Sequence, residues 1–490
     1  MSTRIHIYFL ALCMAVLSAC TVGPHYKKPA APIPTHFKEA KNWKVAHPCD
    51  AINRGEWWKI FHDSQLNVLE AELNKSNQTV ANAEANYRNA RALVDEARAA
   101  YFPTLSLSGL LTRQKSAGGL VSASSGAITV NGGATGTGNI STSHSWLLTA
   151  AWEPDLWGAI YRTVEASKAF AQSSDALRAL TRLSAQASLA QYYFELRGVD
   201  VDQSILNDTV VADKNILQLV QNQYRSGTAS QADIVQARTQ LETAQASAIN
   251  IGITRSQYEH AIAVLIGRPP ADFSMKSASL KIITPPMIPL TVPSVLLERR
   301  PDIAQAERLM AQANAQIGIA ISAYFPTITL NGSASYQHLG TENWFSIPNI
   351  GWAIGPQLAE TILDGGLRRA TVAAARANYD ATVASYRQVV LAAFQDTEDN
   401  LAALRILGQE SIVQSRAAAD AKLALKLTIN QYKAGTIAYS SVLTSQIVAY
   451  TAIKNAADIN YLRMTAAVGL IKSLGGGWVD RGLTSTVTYE

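Results

Sequence analysis

The octapeptide AYFPTLSL at residues 100–107 returns later in the chain as AYFPTITL at residues 323–330, and this repetition sets the architecture of the protein. Each copy follows a long stretch rich in Ala, Gln, Asn and Arg, and each begins a segment in which apolar and polar residues alternate. Proline disfavours helical backbone in the residue that precedes it, and alternation with period two is typical of a strand. The octapeptide therefore predicts a junction from helix to strand, made twice.

Two further landmarks recur in the same order. The heptapeptide NQYRSGT at 222–228 returns as NQYKAGT at 430–436, and LIG at 265–267 is echoed by SLG at 473–475. The first copy is longer between its first two landmarks, where a stretch rich in Gly, Ser and Thr lies. Ordered recurrence of this kind predicts an internal duplication.

Each repeat follows one helical plan. One helical stretch precedes the octapeptide and two longer ones close the repeat, so the predicted helices are 64–100, 159–197 and 199–265, then 300–323, 366–407 and 409–474. We expect turns between the long stretches at 197–200 and 407–410. The Gly-Thr pair of the second landmark interrupts the last stretch of each repeat, and Ser230 with Asp233 fits a capping box that restarts it.

Each repeat also carries two predicted strands, the first beginning in the octapeptide and the second at about 143–152 or 350–359. Strands of about ten residues match the tilted strands that cross a membrane. Aromatic residues lie within or at the ends of these strands, as expected for a membrane interface. They are Trp146, Trp152, Tyr336 and Trp352.

Four strands cannot close a barrel, because the smallest common barrels have about eight strands. An open sheet edge in lipid would leave backbone groups without hydrogen bonds. If the strands cross a membrane, the chain must therefore oligomerise, and two copies would give eight strands while three would give twelve. The alternative is a small soluble sheet packed against the helices.

The long helices also exceed the size of a compact domain. A stretch of about 39 residues extends roughly 58 Å at 1.5 Å per residue. Ala-rich faces let such helices pack closely, and the mixture of Gln, Ser and Asn suits a hollow tube that is wet inside and outside. A solid coiled coil is the alternative.

The first twenty residues have the layout of a signal peptide, with one basic residue, an apolar stretch and small residues at the cut. Leu17-Ser18-Ala19-Cys20 resembles a bacterial lipobox, which would make Cys20 the lipidated N-terminus. Thr21 then favours an outer-membrane destination. The alternative is an ordinary signal peptide with an incidental Cys, and Cys49 receives no function.

The predicted segments follow from the repeats and the leader. They are a signal peptide at 1–19, a lipidated extended tether at 20–55, a first repeat at 56–270, a linker at 271–299, a second repeat at 300–475 and a tail at 476–490.

Composition excludes several classes of protein. The chain is 48% hydrophobic and 16% charged, which excludes a long disordered chain. A net charge of +5 on 490 residues, without basic runs interleaved with aromatics, argues against nucleic-acid binding. The sequence lacks the phosphate-binding lysine loop, the paired-His metalloprotease helix, the nucleophile elbow and Cys-pair zinc spacing. We therefore expect no enzyme, no metal site and no cofactor beyond the lipid on Cys20.

Several long motifs together resemble the TolC-like outer-membrane efflux channels, and most closely their NodT-type (OprM-like) lipoprotein branch. The resemblance covers residues 17 to about 475. The matching motifs are TVGPHY at 21–26, WWKIF at 57–61, ERRPDIAQAE at 298–307 and AAFQDTED at 392–399. His25 stands where that branch would have Asp or Tyr.

The resemblance implies an α+β membrane protein that forms a homotrimer. Three chains would build a 12-stranded β-barrel in the outer membrane, joined to a long periplasmic α-helical barrel. The implied partners are a periplasmic membrane-fusion adaptor protein and an inner-membrane resistance-nodulation-division or other efflux transporter. The channel would be a passive exit duct for small molecules such as drugs and toxic compounds. A type I secretion channel and a periplasmic lipoprotein scaffold are the alternatives.

Channels of this family close at the periplasmic tip, and the resemblance implies a gate near the predicted turn at 407–410. Charged residues near that turn are candidate gate residues, namely Arg405, Glu410, Arg416 and Asp420. Threefold symmetry would bring three copies of Asp420 together as a constriction ring, with Arg405 or Arg416 in ion pairs that tether it. The alternative is that each is an exposed charge on the outer wall.

Overall fold

The computed structural model describes residues 21–39, 55–115, 140–278, 285–286, 288, 300–339 and 349–476. The predicted signal peptide, Cys20, Cys49, most of the linker and nearly all of the tail lie outside these residues. The chain divides into two compact units, and each unit draws on both repeats.

The helices that correspond in the two repeats match in length, and only α1 has no counterpart among the described residues. They are α1 Ser64–Ser76, α2 Gln78–Ala99, α3 Ala159–Arg225 and α4 Gln231–Leu265 in the first repeat, then α5 Pro301–Ser322, α6 Leu367–Lys433 and α7 Tyr439–Ser473 in the second. Helices α3 and α6 have 67 residues each, and α4 and α7 have 35 each. The two repeats therefore fold alike.

The first unit contains Arg91–Ala169, Ala311–Ala381 and the described part of the N-terminal segment up to Lys27. Its centre is one antiparallel sheet in the order β1-β2-β3-β4. The strands are β1 Thr104–Lys115, β2 Ile140–Trp152, β3 Thr327–Leu339 and β4 Ile350–Ala359. Strands β1 and β3 begin directly after Pro103 and Pro326, so the predicted junction from helix to strand is confirmed in both repeats.

The predicted turns between the long helices were wrong. Residues 197–200 lie inside α3 and residues 407–410 lie inside α6. A single glycine in a helix costs only about 1 kcal/mol relative to alanine, which packing can offset. Gly198 is required by packing, because a Cβ there would lie 2.4 Å from the ring of Tyr461.

The turns lie instead at the second landmark. Gly227 and Gly435 adopt φ values of +77° and +73°, a conformation that glycine accepts without strain. The Thr228 amide donates to the Gln223 carbonyl at 2.9 Å, five residues back, which is the hydrogen bond of a Schellman motif. After the first turn, Ser230 and Asp233 form the predicted capping box at the start of α4.

The predicted helix at 64–100 is also two helices. The break lies at Asn77, which has extended backbone and a side chain that accepts a hydrogen bond from the Val80 amide at 2.9 Å. The Asn77 side-chain amide donates to the Leu265 carbonyl at 2.7 Å. A tertiary contact therefore stabilises the break between α1 and α2, which no Gly or Pro in the sequence indicates.

The second unit contains Lys28–Ala90, Phe170–Met310 and the chain from Thr382 onward. The WWKIF motif forms a 3₁₀ turn whose Trp57, Trp58 and Phe61 are each 3% exposed. The Phe61 ring lies 5.0 Å from that of Phe194 on α3. Beside this aromatic core, α1 buries Leu66 and Leu73 completely.

Glu70 on α1 is fully buried, and neither carboxyl oxygen has a hydrogen-bond partner among the described residues. Burial raises its pKa well above the ordinary value. An unpaired buried polar group costs about 1–3 kcal/mol. We therefore expect Glu70→Leu to raise the free energy of unfolding by about this amount.

The measurement is the thermal midpoint by circular dichroism in detergent. Because the folded state raises the pKa of Glu70, the wild type should lose stability as the pH rises above the usual range of a glutamic acid. Glu70→Gln, which cannot ionise, should lose that part of the pH dependence. Equal midpoints for all three proteins would contradict the prediction.

Candidate functional site: the faces of the sheet and the helix turns

The strand register places apolar side chains on one face of the sheet. Trp146 on β2 pairs with Gly109 on β1 and with Tyr336 on β3. Because side chains alternate between the two faces of a sheet, every second residue of each strand lies on the same face as Trp146. Its large apolar members are Leu105, Leu107, Leu111, Trp146, Leu148, Trp152, Ile328, Leu330, Tyr336, Ile350, Trp352, Ile354 and Leu358. Trp352 and Ile354 are 79% and 80% exposed, so in one chain nothing covers this end of the face.

The opposite face is mostly hydroxyl and amide groups. Its polar members include Thr104, Ser106, Ser108, Thr112, Gln114, Ser143, Ser145, Thr149, Thr327, Thr329, Asn331, Ser333, Ser335, Gln337 and Gln357. Ser106 and Thr149 share a hydrogen bond of 2.6 Å across two strands. Arg113 and Lys115 are the only charged residues in the four strands, and the register places both at one end of the apolar face.

The two faces suit different surroundings. The apolar face suits the hydrocarbon of a bilayer, and the uncharged polar face suits water. Strands of 10 to 13 residues are long enough to cross the hydrocarbon at a tilt. The outer strands β1 and β4 each pair on one side only within the described chain. Such edges are tolerated in lipid only when another strand pairs with them.

Gly109 makes room for an aromatic ring on the apolar face. A Cβ at this position would lie 2.5 Å from the indole of Trp146 on the neighbouring strand. The indole therefore covers the glycine backbone, which is a device that pins the register of two strands.

In the second unit, the turn after α3 and the turn after α6 share one hydrophobic cluster. Its buried members are Ile216, Val220, Ile234, Ala237, Tyr432, Tyr439 and Val442. The Tyr432 and Tyr439 rings lie 5.7 Å apart, and Gln223 donates to the Tyr432 carbonyl at 3.3 Å. The duplicated NQY landmarks thus pack against each other.

A buried carboxylate joins the same helices. Asp213 on α3 is 3% exposed and accepts a hydrogen bond of 2.6 Å from the side-chain amide of Gln446 on α7. Burial raises the pKa of Asp213 to about 6, against a smaller lowering effect of Gln240. This acid therefore changes charge close to neutral pH.

Because the folded-state pKa of Asp213 is raised, its contribution to stability is present at low pH and is lost as the pH rises through about 6. We expect the wild type to lose about 1 kcal/mol per chain between pH 5 and pH 7.5 from this group. Asp213→Asn should remove that part of the loss. The measurement is the urea midpoint at both pH values, and an unchanged pH dependence in the variant would contradict the prediction.

The structure places the four candidate gate residues on α6 but does not bring them together. Fifteen residues separate Arg405 from Asp420, which is about 22 Å along a helix. Glu410, Arg416 and Asp420 are exposed and form no ion pair with other described residues. The turn that they were expected to flank lies at Gly435 instead.

Arg405 pairs with the N-terminal segment rather than with another candidate gate residue. Its guanidinium donates two hydrogen bonds to Glu39, at 2.6 and 3.1 Å. Nearby, the Glu398 carboxylate accepts from the Lys38 and Glu39 amides at 2.7 and 3.0 Å, and Phe37 is 5% exposed. The segment at residues 37–39 is therefore bound to α6.

Sequence reasoning missed a buried charge network in the second unit. Asp200 on α3 accepts hydrogen bonds from Arg197 at 2.8 Å and from Arg255 on α4 at 2.9 Å. It also accepts from the Ala278 amide at 3.1 Å. The i,i+3 spacing of Arg197 and Asp200 was visible in the sequence, although it was interpreted as part of a turn.

Among the described residues, no group of three or more His, Cys, Asp or Glu could hold a metal ion. In that same part of the chain, every helix is too short or too polar to pass through a bilayer.

The geometry defines a class of protein, namely a channel whose sheet faces lipid on one side and water on the other. A profile of the outer membrane efflux protein family matches residues 69–268 and 292–476. The chain belongs to this family. It is accordingly an outer-membrane component of an efflux system, in a family of ducts rather than of enzymes.

Known proteins resemble the chain along nearly its whole length. The antibiotic efflux pump outer membrane protein ArpC of Pseudomonas putida is 27% identical, covering 96% of each chain. The probable outer membrane lipoprotein SilC of Salmonella typhimurium is 26% identical, covering 95% of this chain and 97% of its own. The outer-membrane channel OprN superposes with a TM-score of 0.83 at 26% identity, covering 94% of this chain and all of that one. The fold class is that of trimeric channels in which a β-barrel joins a long helical barrel.

Proposed function

We propose that three copies of the chain form a passive exit duct for small molecules across the outer membrane. The observation that carries the proposal is the sheet, with one apolar face, one uncharged polar face and two edges that need partners. Three sheets joined through β4 of one copy and β1 of the next would close a twelve-stranded barrel, with the polar faces inside.

The test is the oligomer mass of the detergent-purified protein together with its single-channel conductance in a planar bilayer. A trimer with conductance supports the duct. A monomer without conductance would overturn it and favour a periplasmic scaffold.

The proposed cargo and partners follow the relatives. ArpC is named for antibiotic efflux, and the uncharged polar face offers hydroxyl and amide groups to neutral or weakly charged compounds. An inner-membrane pump and a periplasmic adaptor would hand these compounds to the duct. The exposed turns at 226–230 and 434–438 are the proposed docking region for the adaptor. We expect deletion of the gene to raise the sensitivity of the cell to drugs. If drug sensitivity did not change and the cell no longer secreted a protein, the type I secretion channel would be favoured.

We further propose that the chain is anchored by lipid on Cys20. SilC, a relative of similar length, is named as a probable lipoprotein. Labelled palmitate should enter the wild type and not Cys20→Ser.

The proposed gate lies on one exposed stripe of α6. Ile406, Val413, Asp420 and Leu427 recur every seven residues, and the three apolar members are 51%, 65% and 53% exposed. A stripe of this period faces one direction along a helix, so it lines the tube or contacts a neighbouring chain. Glu410 and Arg416 lie beside this stripe on opposite sides, each three or four residues from its members.

Asp420 is the one charged member of this otherwise apolar repeat, and three copies of it near the axis would form a ring that favours cations. We expect Asp420→Ala to raise single-channel conductance several-fold and to lower cation selectivity. Lys422→Ala, an exposed residue about 200° around the helix from Asp420, is the control and should change neither. Unchanged conductance in the Asp420 variant would place this residue on the outer wall.

A further inference from the structure

The residues that directly follow Cys20 are bound tightly within the first unit. The Val22 amide donates to the Trp157 carbonyl at 3.2 Å. Arg162, at the start of α3, donates from Nε to the Val22 carbonyl at 3.1 Å and from Nη2 to the Gly23 carbonyl at 3.2 Å. The side chain of Arg162 is 1% exposed. One guanidinium thus holds two successive carbonyls of the N-terminal segment.

Glycines allow this close approach. Gly23 adopts a φ of +104°, and a Cβ there would lie 2.5 Å from the Gly318 Cα on α5. A Cβ on Gly318 would in turn lie 2.9 Å from the Arg162 side chain. The N-terminal segment, α3 and α5 therefore meet at a point where only glycine fits.

The remaining polar groups at this point are also satisfied. The Asn314 side chain on α5 donates to the Pro24 carbonyl at 3.0 Å. Glu165 balances the charge of Arg162 with a hydrogen bond of 2.7 Å. We call Arg162, Gly23, Gly318 and Asn314 the anchor clamp.

The chemistry of the anchor clamp is specific for backbone. Burying a guanidinium costs several kcal/mol unless its donors are filled, and simple packing would need only apolar side chains. The planar fork of arginine instead matches two acceptors in fixed positions. The Arg162 guanidinium therefore fixes which backbone carbonyls of the N-terminal segment bind here, and not only that the segment binds.

We propose that Arg162 is a positioning residue that seats the lipidated N-terminus on the first unit, a role that rests on the proposed lipid at Cys20. The clamp takes Arg162 from the first repeat and Gly318 and Asn314 from the second, so it forms only after the two repeats have packed. Residues 22–24 of the extended tether predicted for residues 20–55 are thereby fixed to the first unit.

The test is limited trypsin digestion of the purified full-length protein, followed by mass spectrometry of cleavage after Lys27, because trypsin does not cut the Lys28–Pro29 bond. Proteolysis requires local opening of the segment. We expect Arg162→Gln to be cleaved at least tenfold faster than the wild type. Arg182→Gln, an exposed arginine on the same helix, should be cleaved at the wild-type rate.

A second variant separates release of the segment from loss of the fold. The Gly23→Ala variant keeps Arg162, but its N-terminal segment cannot bind in the anchor clamp. It should therefore release the segment, while its circular dichroism spectrum stays at the wild-type level. Wild-type cleavage rates in Gly23→Ala would overturn the proposal, and so would loss of helix in Arg162→Gln with normal protection in Gly23→Ala. Palmitate labelling of the wild type is scored separately, so a chain without lipid would refute the anchor at Cys20 while the clamp itself is still measured.

Discussion

Leu148→Arg is expected to prevent formation of a stable trimer. Leu148 lies in the middle of β2, where it pairs with Leu107 and Ala334 on the apolar face. A lipid-facing arginine at the bilayer midplane costs about 2–4 kcal/mol, and a trimer would carry three of them. We expect the trimer band on a semi-native gel to disappear and the urea midpoint in liposomes to fall.

The matched control is Thr149→Arg, one residue further along the same strand. Thr149 belongs to the polar face and hydrogen-bonds to Ser106, so an arginine there would project into water. It should leave the trimer intact while changing ion selectivity. If Thr149→Arg is the more damaging substitution, the two faces have been assigned the wrong way round.

Asp200→Ala is expected to destabilise the second unit by about 3–5 kcal/mol. Asp200 is 3% exposed and neutralises Arg197 and Arg255 together. Removing one partner from a buried ion pair leaves uncompensated charge in a region of low dielectric. Here the buried Arg197 would lose its bond to Asp200, whereas Arg255 would keep its ion pair with Glu259 at 3.1 Å.

The free energy of unfolding from urea titration measures this effect. Asp208→Ala is the control, because Asp208 is an exposed acid on the same helix, and it should change stability by less than about 0.5 kcal/mol. A small effect for Asp200→Ala would show that the network is wet and not buried.

Local patterns predicted most of the sheet and failed for the long helices. The alternation of apolar and polar residues predicted β4 at residues 350–359, as observed, and its prediction of β2 missed only the first three residues of the strand. The turn predicted at Gly198 was wrong, because the tertiary contact with Tyr461 outweighs the weak preference of glycine against helix. At Gly227 the same residue type does end a helix, because the φ of +77° and the following Thr bond complete a cap.

The candidate sites also divide into features that local sequence patterns predicted and features that they did not. The apolar and polar faces follow from period two and were predictable as a pattern, although their pairing required the register. The partners of Arg405 and Arg162 were not predictable, since Glu39 and Val22 are far away in sequence and nothing local indicates the contact. Long-range pairs of this kind are fixed by packing of the whole chain.

The matched lengths of the helices in the two repeats have a consequence for stoichiometry. A ring of three chains would display six turns of nearly equal shape, one from each repeat. The sixfold arrangement would be only approximate, because Arg225 and Ser226 in one turn correspond to Lys433 and Ala434 in the other. A partner that binds all six turns would therefore meet two kinds of position in alternation around the ring.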